Sequence, residues 1–333
     1  MGTRRQCVRA VYNGLMIILV PDEVCGVLAP RARDISPKIV LQPYAENGPM
    51  PPDLHKAEGV LRWIAGKRYA DLVVQGQRMR WLHTASAGVD HVLTPEVRAK
   101  ANLTVTNSGS AFEIAISEFV LAWMLMVARR LPLLLERQRA HIWEWLPQQE
   151  LSGATVGIIG LGAIGRGVAA RCRAFGMRTL GFRRRQEPVD NIDDLLTGPE
   201  GLARILAESD YLILAAALTD STRALIGAKE LAQMKPNAWL INIARGAMLD
   251  EPALIAALEN KTIAGACLDV FAREPLPTDS PLWDMPHVYV CPHSSSGWTA
   301  GLQARQQQLF VDNLRRFASG EPLTNVVDIA RGY

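Results

Sequence analysis

The sequence predicts an α/β protein of two doubly wound parallel-sheet domains, one inserted into the other. Three observations predict it. Short apolar runs alternate with helical or loop stretches along most of the chain, a glycine-rich run stands near the middle just after one of them, and a last long helical stretch ends in a tail too short to fold alone. The length of 333 residues suits two domains, and 49% hydrophobic with 21% charged residues suits a globular enzyme with a sizeable core.

At the N-terminus, Arg4 and Arg5 precede the apolar run Leu15–Val20, a pattern superficially like a secretory leader. The run is too short for one, and Pro21-Asp22 follows where small residues are wanted for cleavage, so it reads as a first β-strand. Further strands are expected at Lys38–Gln42, Gly59–Ile64, Met79–Thr84 and Leu103–Thr106, with an exposed proline-rich loop at Pro43–Pro52. Ala111–Arg130 reads as a helix apolar nearly all round, hence deeply buried or spanning two domains, with a break or kink near Pro132. No segment approaches the roughly 18 apolar residues that span a bilayer, so neither a membrane nor an export route is expected, and the expected compartment is the cytoplasm.

The second half alternates more regularly. Strands are expected at 155–159, 177–182, 211–216, 238–242, 263–268 and 287–291, with a helix over Ala163–Phe175 and another opened by Asp250-Glu251-Pro252 and running through Leu258. A final helix covers about Thr299–Ala318, and the tail Leu323–Tyr333 is expected to dock on the N-terminal part. The domains are therefore placed at residues 1–110 with 298–333, and at 111–297 between them.

The glycine run Gly160-Leu161-Gly162-Ala163-Ile164-Gly165 follows the strand Thr155–Ile159 and opens a helix. That context holds a dinucleotide pyrophosphate: the first glycine permits the tight turn, the second lets backbone approach the phosphates, the third lets helix pack on strand, and the helix N-terminus supplies amide donors. The next strand should end in an acidic residue if the adenosine ribose carries a free 2′-hydroxyl. Instead it ends in Phe182-Arg183-Arg184-Arg185, whose guanidinium forks suit a 2′-phosphate. NADP(H) is accordingly expected over NAD(H). Ala217, Thr222 and Ala244, near the ends of later strands, complete the expected cofactor contacts.

Three stretches at strand C-termini carry polar groups: Ile241–Gly246, Leu268–Pro277 and Val290–Ser294. Reducing a 2-oxo acid needs a cation for the carboxylate and ketone, and an acid to protonate the alkoxide as hydride arrives. Arg245 and His293 match those needs, and Glu274 is the carboxylate that would stabilise an imidazolium. The other histidines (His55, His83, His91, His141, His287) lack metal-ligand spacing, and no metal is expected. Net charge is +3 with basic residues scattered apart from 183–185, so nothing points to nucleic acid. Five cysteines (Cys7, Cys25, Cys172, Cys267, Cys291) without C-x-x-C spacing read as reduced and mostly buried.

Together these motifs resemble the D-isomer-specific 2-hydroxyacid dehydrogenase family over almost the whole chain. The resemblance rests on Gly160–Gly165, on N-x-A-R-G at Asn242–Gly246, on L-D-V-F-x-x-E-P-L-P at Leu268–Pro277 and on Pro292-His293. Upstream, Ala85–Asp90, Val105-Thr106-Asn107 and Ser117-Glu118-Phe119 resemble the family's substrate-domain signatures. It implies a Rossmann cofactor domain inserted into a flavodoxin-like substrate domain, with Arg245, Glu274 and His293 as the catalytic set. It further implies that backbone amides at Ala87, Gly88 and Val89 hold the substrate carboxylate, alongside Arg245 and His293, and that Asp269 contacts the nicotinamide carboxamide. The arginine after the second cofactor strand resembles the NADPH-dependent glyoxylate/hydroxypyruvate reductases of the family.

Two departures stand out: Ala215–Thr219 lacks a proline common in that loop, and Trp298 falls where a threonine is usual. Trp143 and Trp145 lie in the family's usual dimerisation segment, which implies a homodimer and a reach towards a neighbour's site; packing in a core is an equal alternative for both. The expected activity is hydride transfer from NADPH to a small 2-oxo acid, and the reverse. Two alternatives stand beside it: a non-catalytic nicotinamide-sensing scaffold like corepressors related to the family, and a dehydrogenase of another small acid such as phosphite or formate.

Overall fold

The structure, a computed structural model, describes residues 14–63 and 66–333. Arg4, Arg5, Cys7 and the last residue of the third expected strand, Ile64, lie outside the described residues. The chain divides into two compact units, Met1–Ala111 with Ala300–Tyr333, and Phe112–Thr299.

In the first unit, β1 (Met16–Pro21), β2 (Ile39–Tyr44), β3 (Ala57–Arg62), β4 (Trp81–Thr84) and β5 (Thr104–Asn107) form a parallel sheet in the order β2-β1-β3-β4-β5. That is the flavodoxin-like order. Consecutive residues Ile17 to Val20 are all at most 2% exposed, as a strand covered on both faces requires. Strand β2 continues through Pro43 and Tyr44, so the expected loop begins two residues later: Tyr44 is 3% exposed and its hydroxyl donates to Leu61 O at 2.9 Å. One face packs around Leu19, Val60, Leu82 and Val105. The other joins Ile18, Leu61 and Trp81 to Phe310 and Leu314 of the C-terminal helix, here α10 (Ala300–Ser319), with the Trp81 and Phe310 rings stacked at 5.5 Å. The tail returns to this sheet: the Val327 N–H donates to Val105 O at 2.8 Å and the Asn107 N–H to Asn325 O at 3.1 Å.

The second unit carries β6 (Thr155–Ile159), β7 (Arg178–Phe182), β8 (Asp194–Leu196), β9 (Tyr211–Leu214), β10 (Trp239–Asn242), β11 (Gly265–Leu268) and β12 (Val288–Val290), all parallel, ordered β12-β11-β10-β9-β6-β7-β8. Chain order reverses between β6 and β9, the crevice where open sheets of this kind bind dinucleotides. Strand β8 was not legible from periodicity: three residues show no pattern, and its register is held by Asp193, whose carboxylate accepts from the Thr179 N–H at 2.9 Å.

Helix α4 (Glu113–Ala128) precedes this sheet, and Arg130, in the left-handed region at φ 50°, separates it from α5 (Leu131–Arg139). Within the 20-residue stretch Gly109–Ala128, an 18-residue window has a mean hydropathy of 1.8. By length and composition it is enough to cross a membrane, which corrects the expectation that no segment comes near. It is also only 44% buried, less than its all-round apolarity suggested. Ile116, Val120, Trp123 and Met124 supply the buried side, packed with Val168, Ala169 and Cys172 of α6 (Ala163–Ala174). Trp143 and Trp145 do not pack in a core: they are 102% and 85% exposed.

Candidate active site

The crevice begins at the glycines. Gly160 sits at φ 101°, and a Cβ there would lie 2.4 Å from the Ala216 nitrogen, so the turn admits only glycine. A Cβ on Gly165 would lie 2.0 Å from Gly160 O, where α6 crosses the turn, whereas one on Gly162 would meet nothing within 4 Å. Gly162 is therefore bare towards open space, at the start of a helix with no side-chain cap and no acidic residue in its first turn. Ala163 and Ile164 are the first residues of that helix. An uncapped helix end beside an open glycine fits a pyrophosphate.

Beyond β7, Arg183 is half-buried while Arg184 and Arg185 are exposed. Glu187 faces two of them, 3.5 Å from Arg183 and 3.9 Å from Arg185. Across the sheet, the loop after β9 starts with the Ala215 N–H donating to Ile159 O at 2.8 Å. Thr222 closes it without a proline, its hydroxyl donating to Ala217 O at 2.7 Å and accepting from the Thr219 N–H at 2.7 Å.

The loops after β10, β11 and β12 carry the polar groups. Asn242, fully buried, accepts from the Ala244 N–H at 3.1 Å and donates to Arg245 O at 3.0 Å, which fixes the turn presenting Arg245. The Arg245 guanidinium donates to Ala244 O at 2.8 Å. Gly246 then lies against the next loop, where a Cβ would meet the Phe271 carbonyl carbon at 1.9 Å. That contact joins the Arg245 and Glu274 loops.

Glu274 is held on one oxygen by the Phe271 N–H at 3.1 Å, and its other oxygen is 2.7 Å from His293 Nδ1. Glu251, at the start of α9 (Glu251–Glu259), accepts from the Ala272 N–H at 3.0 Å and steadies the same loop. His293 itself occupies the left-handed region at φ 50°, uncommon for a residue with a Cβ. Its N–H donates to Asp269 O at 2.9 Å. The Asp269 carboxylate, 2% exposed, accepts from the Ser294 and Ser295 N–H groups at 2.7 and 3.0 Å and from the Ser295 hydroxyl at 2.5 Å. Asp269 thus holds the His293 turn from both backbone and side chain. Nearby, burial pushes the Cys291 thiol up, so it stays protonated at 3.1 Å from Ser294 Oγ.

Ala87, Gly88 and Val89 lie in the other unit, in the turn after β4, with the Val89 side chain in that unit's core. His83, taken as an ordinary histidine, is buried between the Thr106 and Ser108 hydroxyls. Sequence reasoning gave Asn242, Glu251 and Ser295 no part in positioning the site; Asn242 and Glu251 act on backbone groups, and Ser295 on the Asp269 carboxylate through its N–H and hydroxyl, which residue type alone does not disclose.

A family model described as D-isomer specific 2-hydroxyacid dehydrogenase, NAD binding domain, matches residues 121–295, more than half the chain. Glyoxylate/hydroxypyruvate reductase B of Pectobacterium carotovorum subsp. carotovorum (strain PC1) is 38% identical over 283 residues, covering 83% of this chain and 87% of the relative. The chain belongs to the D-isomer specific 2-hydroxyacid dehydrogenase family. Among solved structures, the family member from Xanthobacter autotrophicus Py2 in complex with NADPH and MES superposes with a TM-score of 0.83 at 30% identity, over 96% of this chain and 100% of that one. The NADPH-dependent glyoxylate/hydroxypyruvate reductase of Sinorhizobium meliloti, in complex with NADP and sulfate, gives 0.82 at 27%, over 96% and 100%.

Membership makes this protein an oxidoreductase with a nicotinamide-binding domain, acting on 2-oxo and 2-hydroxy acids. The relatives favour that activity over a non-catalytic scaffold or a phosphite- or formate-type dehydrogenase.

Proposed function

We propose that this chain reduces small 2-oxo acids of the glyoxylate or hydroxypyruvate type to D-2-hydroxy acids with NADPH, and catalyses the reverse. The observation that carries the reading is the 2.7 Å contact between Glu274 and His293 Nδ1, which leaves Nε2 as the nitrogen free to exchange a proton. A bound reduced nicotinamide would supply the hydride. As negative charge develops on the ketone oxygen, His293 gives it the Nε2 proton, and Glu274 stabilises the imidazolium from which that proton comes. Arg245 pairs with the carboxylate and polarises the carbonyl. Backbone amides of Ala87, Gly88 and Val89 bind the same carboxylate. In the oxidative direction neutral His293 accepts the hydroxyl proton.

For the cofactor, we assign the pyrophosphate to Gly160, Gly162, Ala163, Ile164 and Gly165, and the 2′-phosphate to Arg183, Arg184 and Arg185. Ala217, Thr222, Ala244 and Asp269 line the rest of the path. The absence of a carboxylate at the end of β7 supports NADP(H) over NAD(H), as do the NADPH and NADP held by the two neighbouring structures. Residues 111–297 form the cofactor domain in this reading, and 1–110 with 298–333 the substrate domain. The exposed Trp143 and Trp145 support a homodimer, and the free thiols of Cys25, Cys172, Cys267 and Cys291 support a cytoplasmic setting.

Steady-state kinetics of the purified protein against a panel of 2-oxo acids, with NADPH and NADH in parallel, tests the whole proposal. Turnover of glyoxylate or hydroxypyruvate with a higher kcat/KM for NADPH is expected. A higher value for NADH would overturn the cofactor assignment, and no turnover of any 2-oxo acid would overturn the reaction.

A further inference from the structure

The turn after β4 uses up its carbonyl groups inside its own unit. Ala85 O accepts from Gln306 Nε2 at 2.6 Å, Ser86 O from the Ser108 N–H at 3.1 Å, Ala87 O from Asn107 Nδ2 at 3.1 Å, and Gly88 O from Ser86 Oγ at 2.9 Å. Among the described residues, no acceptor faces the N–H of Ala87, Gly88 or Val89. The two facts have one cause. A planar trans peptide directs its C=O and the following N–H to opposite sides. Drawing Ser86 O, Ala87 O and Gly88 O inward therefore turns the N–H groups of Ala87, Gly88 and Val89 outward. Three successive N–H groups with no partner inside their own unit can donate to an anion without any charged side chain.

We propose that Asn107 is the positioning residue that sets carboxylate recognition, by holding Ala87 O and so aiming the Gly88 N–H. This rests on the reading that the turn binds the substrate carboxylate. Asn107 is itself fixed at both ends: Oδ1 accepts from the Gly109 N–H at 3.0 Å, and its backbone N–H donates to Asn325 O at 3.1 Å. Its amide group therefore presents a donor, and not an acceptor, to Ala87 O. An aspartate there keeps the Gly109 bond, loses the donor and sets two oxygens against each other. The Ala87–Gly88 peptide would then rotate, and the Gly88 N–H would turn away from the anion.

Asn107→Asp, and Asn107→Ala as a second variant without repulsion, are assayed with glyoxylate and with glyoxal, an uncharged dicarbonyl. The expected result is a KM for glyoxylate raised about tenfold in Asn107→Asp and severalfold in Asn107→Ala, with kcat, the KM for NADPH and the KM for glyoxal within twofold of wild type. Equal losses with both substrates would mean general disruption and overturn the proposal. In parallel, the amide resonances of Gly88 and Val89 are followed in ¹⁵N-labelled protein with NADP⁺ during titration with oxalate. Oxalate that shifts neither resonance in wild type would remove the carboxylate role of the turn. Shifts present in wild type and retained at the same oxalate concentration in Asn107→Asp would leave that role standing and refute the role of Asn107.

Discussion

His83 makes the stability of the first unit depend on pH in a way that can be worked out. The ring is fully buried, with Nδ1 2.8 Å from Thr106 Oγ1 and Nε2 3.1 Å from Ser108 Oγ, and it packs against Trp81 and Phe310. Burial lowers its pKa from 6.5 to about 3. The folded value lies below the unfolded one, so between them the unfolded chain binds more protons and stability rises with pH. The contribution is complete above pH 6.5 and is lost as pH falls towards 3. At about 1.4 kcal/mol per pH unit, moving from pH 7.5 to 5.0 costs about 2 kcal/mol through this one group. His83→Gln cannot titrate, and its amide can meet one of the two hydroxyls. Opening free energies from hydrogen exchange at β4 and β5 amides, for both proteins at both pH values, give a double difference in which other acid-sensitive groups cancel. A wild-type loss exceeding that of the variant by about 2 kcal/mol is expected, and one below about 0.5 kcal/mol would refute the reasoning.

Three other outcomes follow from the geometry of the second unit. Gly162→Ala should fold like wild type, since its Cβ meets nothing within 4 Å, while Gly165→Ala should melt lower because its Cβ strikes Gly160 O; calorimetry and NADPH titration should show weaker cofactor binding in both. Glu274→Gln should lower kcat by about 10² and alter the pH dependence of kcat/KM with little change in the KM for NADPH, measured by steady-state kinetics. Trp143→Ala combined with Trp145→Ala should leave each subunit folded, by circular dichroism, while raising the monomer fraction seen by sedimentation velocity.

The fold was legible where a physical requirement leaves a plain mark on residue type. Strands buried on both faces read as unbroken apolar runs, and a backbone that must approach phosphate reads as glycine. The parallel sheets, the central glycines and the long helices at Glu113–Ala128 and Ala300–Ser319 were visible for that reason. Strand β8 was hidden because three edge residues need no apolar pattern when Asp193 and Thr179 hold the register. The exposure of Trp143 and Trp145 was hidden because an indole suits a core and an interface equally. The partial burial of Gly109–Ala128 was hidden for the same reason, since apolarity says nothing of what covers it.

The candidate site divides along a different line. Arg245, Glu274 and His293 can be nominated from the sequence because the proposed chemistry demands their functional groups. The residues that aim them cannot, because their work is done on backbone atoms. Asp269 shows the difference best. The family resemblance implies that it contacts the nicotinamide carboxamide; within the protein its carboxylate accepts from the N–H groups of Ser294 and Ser295 and the Ser295 hydroxyl, and its carbonyl from the N–H of His293. Those bonds hold His293 at φ 50°, a conformation that carries a cost and persists only where surroundings over-determine it. The position of His293, the proposed proton donor, is therefore set by a buried carboxylate one strand away, while the same histidine is tied through Nδ1 to Glu274 on the loop after that strand. The Asp269 and Glu274 anchors of His293 thus both come from the segment following β11, so in the proposed mechanism proton transfer is tuned by how that segment is held: by Gly246 against Phe271 and by Glu251 against the Ala272 N–H.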